Sequence, residues 1–447
     1  MKKIFYTVIL VSAIGITTLQ FSACSDTQGN TAQTFSGIEI PDLIDRDIAA
    51  GSETEYEELH TRFDNAILVL EKHPDDIKQF LTIASVYIAE ARITGNGAYY
   101  NDAALRMLNH VIDQSMGNND NLYLAMSMKS GVLLSLHQFG MALNTAQNAL
   151  ALNNHNATVY GALTDANVEL GNYNEAVKAC DAMLSLKPDI RSYARASYIR
   201  QIYGDNAGAI DAMKMAVTAG VAGMENTEWA RVTLGDIYFT MGKLDIAKQI
   251  YNTSLQYRAD YTPALAGLAK VAMTEGDYKQ SIDLLEQAIT IRSESHYVSM
   301  LAEAYQLSGN TKKAKEINED VLELLLDGEK EQKNYVVKHH SARELAQAYF
   351  AANDLKNAMK YALQDLEMRP NNIDANALAA WISYKSGDMQ TAKMYADKML
   401  VTGIQNSDYL YKASLIYNSN GDVANAEKYA ESASNISPYY NKVFSSI

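Results

Sequence analysis

The chain is short of cysteine, proline and positive charge, and each shortage excludes something. Two cysteines in 447 residues, Cys24 and Cys180, leave no room for a disulfide framework or a thiolate zinc site. Six prolines are few for this length and suit long uninterrupted helices, which an interior proline would break. Thirty-eight Lys and Arg stand against 53 Asp and Glu, a net charge of −15. A surface of that sign repels phosphate backbones, so no nucleic-acid partner is expected. The sequence also lacks G-x-S-x-G, G-x-G-x-x-G and any phosphate-cradling glycine loop, so neither enzymatic activity nor a cofactor is expected. What is present is a hydrophobic content of 48%, which excludes a disordered chain. The length is too great for one globular core, and several domains or a repeat array are expected.

The first residues read as an address. Lys2 and Lys3 precede an apolar run from Ile4 to about Leu19, followed by small residues, which is the layout of a secretory signal. Thr7, Ser12, Gly15, Thr17, Thr18 and Gln20 make the run weakly apolar and short for a stable span. The tetrapeptide Phe21-Ser22-Ala23-Cys24 resembles the lipobox of bacterial lipoproteins. That resemblance implies a signal peptide over 1–23, lipidation of Cys24, and a lipid-anchored protein of the cell envelope, expected in the outer membrane on its periplasmic or surface face. Residues 24–53 are polar with no helical period and are expected to be a flexible tether.

From residue 54 to 447 one pattern returns. Gly171-Asn172-Tyr173-x-x-Ala176 is echoed by Gly204 with Ala209, Gly242 with Ala247, Gly276 with Ser281 and Gly309 with Ala314. Asn353 with Ala358, Gly387 with Ala392 and Gly421 with Ala426 continue it, and a weaker copy leads with His137. Successive lead residues are 34, 33, 38, 34, 33, 44, 34 and 34 apart, a period that marks a solenoid. The lead residue takes a left-handed turn between two helices, for which glycine is suited. Alanine five residues on lets those helices approach, and Pro74, Pro188, Pro370 and Pro438 close units. Cys180 is expected to be a buried, inert small hydrophobe.

With Leu234, Gly235, Tyr238 and Gly242 in the order L-G-x-x-Y-x-x-x-G, the array resembles the tetratricopeptide repeat, most clearly over 157–438. The resemblance implies an all-α, right-handed superhelical solenoid of antiparallel helix pairs, about ten in number. Two stretches depart from the period: "TGNGAYYND" after Arg92, and ten extra residues between Gly309 and Asn353 around 328–336. The second is charged and is expected to be a solvated connection.

The resemblance further implies that the first helix of each pair builds an inner wall. Counting back from each lead residue places Tyr198, Gln201, Trp229, Asp236, Phe239, Lys270, Met273, His296, Glu303 and Gln306 on it. His340, Arg343, Gln347, Phe350, Trp381, Tyr384, Tyr411 and Leu415 complete the set. Both tryptophans of the protein fall there, and aromatic residues and arginine are typical binding anchors. His340 and Glu344, four apart, are a possible metal-ligand pair on a helix, but no third ligand is suggested and no metal site is expected. A non-enzymatic scaffold or adaptor that binds a peptide or partner protein is therefore expected. A glycan-binding lipoprotein of a carbohydrate-uptake system is the alternative.

Overall fold

A computed structural model describes residues 33–46, 53–115 and 119–442. The expected signal peptide and Cys24 lie outside the described residues. The described chain begins with a small antiparallel hairpin, β1 (Gln33–Phe35) and β2 (Ile38–Ile40), followed by the lone helix α1 (Glu53–Lys72). Ten helix pairs then follow. They are α2 (Ile77–Thr94) with α3 (Gly97–Gln114), α4 (Asn119–Ser135) with α5 (Phe139–Leu152), and α6 (Ala157–Glu169) with α7 (Tyr173–Leu186). Next come α8 (Ile190–Ile202) with α9 (Asn206–Ala219), α10 (Glu225–Thr240) with α11 (Leu244–Tyr257), and α12 (Thr262–Glu275) with α13 (Tyr278–Ile291). The array ends with α14 (Ser295–Leu307) and α15 (Thr311–Glu331), α16 (Ala342–Ala351) and α17 (Leu355–Met368), α18 (Ile373–Lys385) and α19 (Met389–Met399), and α20 (Ser407–Ser419) and α21 (Val423–Ile436).

The turn inside each pair follows from its residues. The seven glycines expected to lead repeats have φ between 69° and 89°, and Asn353 and His137 take the same left-handed conformation at 60° and 55°. After the lead residue, Asp205, Asp277, Asp354, Asp388 and Asp422 cap the second helix, each accepting from a backbone N–H three residues on. The alanines five residues beyond the lead are buried, as is Ser281. Cys180 is 3% exposed among Tyr173, Ile199, Ile202, Ile373 and Ile404.

Pairs stack so that the first helices touch one another: α2 meets α4, α4 meets α6, and the series runs on through α6, α8, α10, α12 and α14. It continues from α16 through α18 to α20. The even-numbered helices therefore form the inner wall of a superhelix. That superhelix closes on itself. Asn372, just before α18, donates through Nδ2 to the backbone oxygens of Val168 and Glu169 at the end of α6, 3.4 and 3.1 Å away. Asn206 Nδ2, at the α8–α9 turn, donates to Gln405 O before α20 at 2.9 Å. From α6 to α18, and from α8 to α20, is twelve helices, so the second superhelical turn lies on the first after six pairs.

This stacking gives some lead glycines a second constraint. A Cβ on Gly171 would run into the backbone carbonyl of Asn371, and one on Gly204 would lie 2.7 Å from Gly403 O. Tyr173 Oη accepts from Ile373 N–H at 2.8 Å across the same seam. Arg369, 1% exposed, binds Asp365 on its own helix at 2.7 Å and Glu169 of the first turn at 2.5 Å. Arg258 likewise meets Glu55 of α1 at 3.0 Å.

Three expectations change. Residues 33–46, placed in a flexible tether, are docked: Ile40 is 1% exposed, Tyr87 Oη donates to Pro41 O, and Arg46 pairs with Glu90. A two-residue alternation over Ile38 and Ile40 carries that contact, which a search for helical period passes over. The stretch after Arg92 departs from the period but holds a lead residue of its own, Gly95 at φ 78°. Tyr100 stands where other repeats carry alanine, which hides the copy. Residues 328–332 and 334–336 are exposed or half-buried, as expected of a solvated connection, but the 328–336 residues are not a plain loop. They extend α15 to Glu331, form a short 3₁₀ turn (Gln332–Asn334), and start a segment that crosses to the first superhelical turn. There Val336 N–H donates to Asp102 Oδ1 at 2.7 Å and Gln138 Nε2 donates to Lys338 O at 2.8 Å.

Candidate functional site

The inner wall encloses two cavities that between them hold eight of the eighteen candidate residues. The larger, about 640 Å³, lies against α8, α10 and α12 and is lined by Tyr198, Gln201, Trp229 and Tyr261, with Arg92, Arg191, Arg195 and Arg292 among them. Trp229 is 42% exposed with the Arg92 guanidinium 5.8 Å from its ring centre, and Tyr198 is 41% exposed. These two carry large apolar area that the fold leaves uncovered. The guanidinium groups are held in place by carboxylates. Arg195 binds Asp165 at 2.5 Å, Arg92 binds Glu225 at 2.6 Å, and Arg191 binds Asp189 at 3.0 Å. Charge along this wall is therefore paired, although the chain as a whole carries −15.

Tyr198 also reaches toward the second turn. Its hydroxyl is 3.5 Å from Asp374 Oδ2, and Tyr409 donates to the other oxygen at 2.6 Å. The Asp374 carboxylate raises the Tyr198 phenol well above its ordinary pKa, so it stays protonated and able to donate. Burial does the same for Tyr409, with Asp374 adding to it.

The second cavity, about 250 Å³, lies between the superhelical turns. Phe239, Arg343, Gln347, Phe350 and Trp381 line it, as do Asp374, Lys412 and the C-terminal Tyr439 and Tyr440. Trp381 departs from its expected part as an open anchor. It is 8% exposed and stacks on Tyr384 with ring centres 5.1 Å apart, while Lys385 and Lys412 lie 4.8 and 5.5 Å from its ring centre. Tyr411 packs edge-on against Tyr440 at 5.4 Å. The C-terminal aromatic group is thus mostly covered by its own neighbours.

Asp236, Lys270 and Phe239 make a fixed contact between α10 and α12. Asp236 accepts from Tyr251 Oη at 2.8 Å and pairs with Lys270, whose ammonium lies 5.4 Å from the Phe239 ring centre. Met273 is core, at 1% exposure. His296, Glu303 and Gln306 line a smaller cavity near 190 Å³ together with Gln347. Burial, reinforced by Lys270, lowers the His296 imidazole to about 4, so it is neutral at physiological pH.

His340 and Glu344, from which no metal site is expected, do not share a helix. Helix α16 begins at Ala342, and His340 lies before it with its N–H bonded to Leu136 O at 3.0 Å. The residues that do gather around Glu344 are His137 and His339. Counting back from lead residues cannot find them, because His137 is itself a turn residue and His339 belongs to the crossing segment. Burial lowers the pKa of both imidazoles, against the opposing pull of Glu344.

Comparison with known proteins finds similarity to part of the chain in sequence and to a set of solved structures. Residues 230–261 and 262–295 match the family model described as Tetratricopeptide repeat. Solved structures similar to the chain include TTC0263, a thermophilic TPR protein in Thermus thermophilus, at 17% identity over 44% of this chain and 99% of that one, TM-score 0.38. PilW, a widely conserved type IV pilus biogenesis factor, is 15% identical over 45% and 92%, TM-score 0.36. A human IFIT1 dimer with PPP-AAAA is 14% identical over 85% and 88%, TM-score 0.45. No curated protein sequence matches. The chain is an all-α solenoid of helix pairs, and its segments 230–261 and 262–295 match the tetratricopeptide repeat model.

Proposed function

We propose that this protein is a lipid-anchored adaptor of a Gram-negative cell envelope that holds an extended segment of a partner protein in its inner channel. The observation that carries the binding site is the pair Trp229 and Tyr198, each over 40% exposed on the inner wall beside a cavity of about 640 Å³. Such rigid aromatic area loses little entropy on binding and typically anchors an interface, and a cavity of this size accepts one or two side chains. The lining arginines, already oriented by Asp165, Glu225 and Asp189, suit the carboxylates and backbone carbonyls of a peptide. The anchor rests on Cys24 and its lipobox-like context. Among the described residues no helix is long and apolar enough to cross a membrane.

Two variants separate the parts of this reading. Cys24→Ala should leave the membrane fraction while retaining its partner, and continued membrane attachment would remove the lipid anchor. Trp229→Ala, made in the anchored chain, should lower recovery of the crosslinked partner from intact cells by at least roughly tenfold, as loss of an anchor worth about 2 kcal/mol would. Unchanged recovery would remove the channel as the site. Quenching of Trp229 by glycans, with no protein partner recovered, would point to carbohydrate instead.

A further inference from the structure

We propose that His137, His339 and Glu344 form a zinc site that ties the second superhelical turn to the first. Ten helix pairs need a left-handed lead residue; eight use glycine, Gly95 included, and one uses asparagine, which tolerates that conformation. The remaining pair uses His137 at φ 55°. Histidine adopts this conformation less readily than glycine, and although its ring stacks on Phe139 with centres 5.5 Å apart, backbone strain of this kind collects at functional positions. Its ring explains the choice. Nδ1 lies 3.5 Å from Glu344 Oε1 and 3.3 Å from His340 O, and the ring centre is 4.4 Å from that of His339.

One ligand atom from each of His137, His339 and Glu344 lies within 4.8 Å of the other two. Independently, Glu344 Oε2 is buried and has no hydrogen-bond partner among the described residues. A buried carboxylate oxygen left without a donor is costly, and a cation at this point would satisfy it. Two imidazoles and one carboxylate are a zinc donor set, with zinc–ligand distances of about 2.0–2.2 Å and a fourth position for water. Calcium and magnesium prefer oxygen throughout, which argues against them at a site with two nitrogen donors. Zinc binding requires the three donors to close from within 4.8 Å of one another to roughly 3.4 Å, the separation of two ligands in a tetrahedral site.

The ligands come from three places in the chain. His137 lies in the α4–α5 turn, His339 in the crossing segment, and Glu344 in α16. Hydrogen bonds from His340 N–H to Leu136 O and from His339 N–H to Gln332 Oε1 fix that segment. Zinc here closes a loop of about 200 residues, so the ion acts as a clip on the seam between superhelical turns. The ten residues that lengthen this repeat then have a purpose, since they carry His339 to the first turn.

The test uses the whole chain, stripped with chelator and titrated with Zn²⁺ by calorimetry at neutral pH. One equivalent should bind and raise the melting temperature. His137→Gly restores the residue that most other pairs use, so it should fold, yet it should bind zinc at least roughly tenfold more weakly and lose the thermal shift. Glu344→Gln should behave the same way, whereas His340→Ala, whose contact is through the backbone, should bind as the parent does. Failure to take up one equivalent overturns the site. So does uptake that His137→Gly, His339→Ala and Glu344→Gln all leave unchanged, because the ion would then sit on other histidines.

Discussion

Replacing Gly171 by alanine should test whether the second superhelical turn rests on the first. Two costs apply at this position. The backbone has φ 76°, and holding an L-residue there costs about 1–2 kcal/mol. The new Cβ would also collide with the Asn371 carbonyl of the opposite turn, and overpacking against a fixed neighbour costs about 1–3 kcal/mol. The two together come to about 2–5 kcal/mol. Gly276 provides the control, because its φ is 88° and a Cβ there meets nothing within 4 Å, so only the first cost applies. Repeat arrays need not unfold in one step, so urea midpoints should be read together with native-state hydrogen exchange. In Gly171→Ala, protection should fall both at the α6–α7 turn and around Asn371 and α18. In Gly276→Ala it should fall only near α12 and α13. Equal destabilisation by the two variants, with exchange confined to their own turns, would refute the stacking.

Other perturbations address the packing. Arg369→Ala leaves the buried Asp365 carboxylate without its partner and should lower stability by about 3–5 kcal/mol in urea unfolding; a loss near zero would mean the pair is solvated. Hydrogen bonds hold the carboxyls of Asp354, Asp388 and Asp422 below the usual aspartate range, the backbone N–H of Asn357 acting on the first and the side chains of Thr391 and Asn425 on the others. Depressed folded pKa values stabilise above the unfolded value of about 3.9 and cease to do so as pH falls through the folded values. The triple variant with asparagine at these positions should therefore lose less stability than the parent in that acid window, measured by urea midpoints. Burial pushes the Cys180 thiol up to about 11, so an aromatic disulfide reagent should label it only as the protein unfolds. Stoichiometric labelling of Cys180 in the native chain, located by peptide mapping to distinguish it from Cys24, would contradict its burial.

The helix pair is legible in the sequence because its rule is local. A left-handed residue, a capping Asp or Asn and an alanine lie within six residues of one another, and no distant contact is needed to recognise them. The first pair is hidden because Tyr100 replaces that alanine and is accommodated by the docked 33–46 segment, to whose Ile44 N–H its hydroxyl is bonded. The superhelical closure is not legible, because six pairs of small rotations must accumulate before Gly171 meets Asn371. The same limit applies to Trp381. Counting from Gly387 places it on the inner wall, but Lys412 of the next pair and Tyr384 of its own helix cover it. His137 does carry a signal, namely an imidazole at a glycine position in an otherwise regular register. Its meaning depends on a partner about 200 residues away in the chain.

Site-specific photocrosslinking in intact cells tests the central claim most directly. A photoreactive amino acid in place of Trp229 looks into the inner channel, and one in place of Tyr257, 53% exposed on α11, samples a second helix of a pair. The proposed function predicts a defined adduct with one partner protein from position 229 and none from position 257. Adducts from position 257 with none from position 229 would contradict it and move recognition away from the channel.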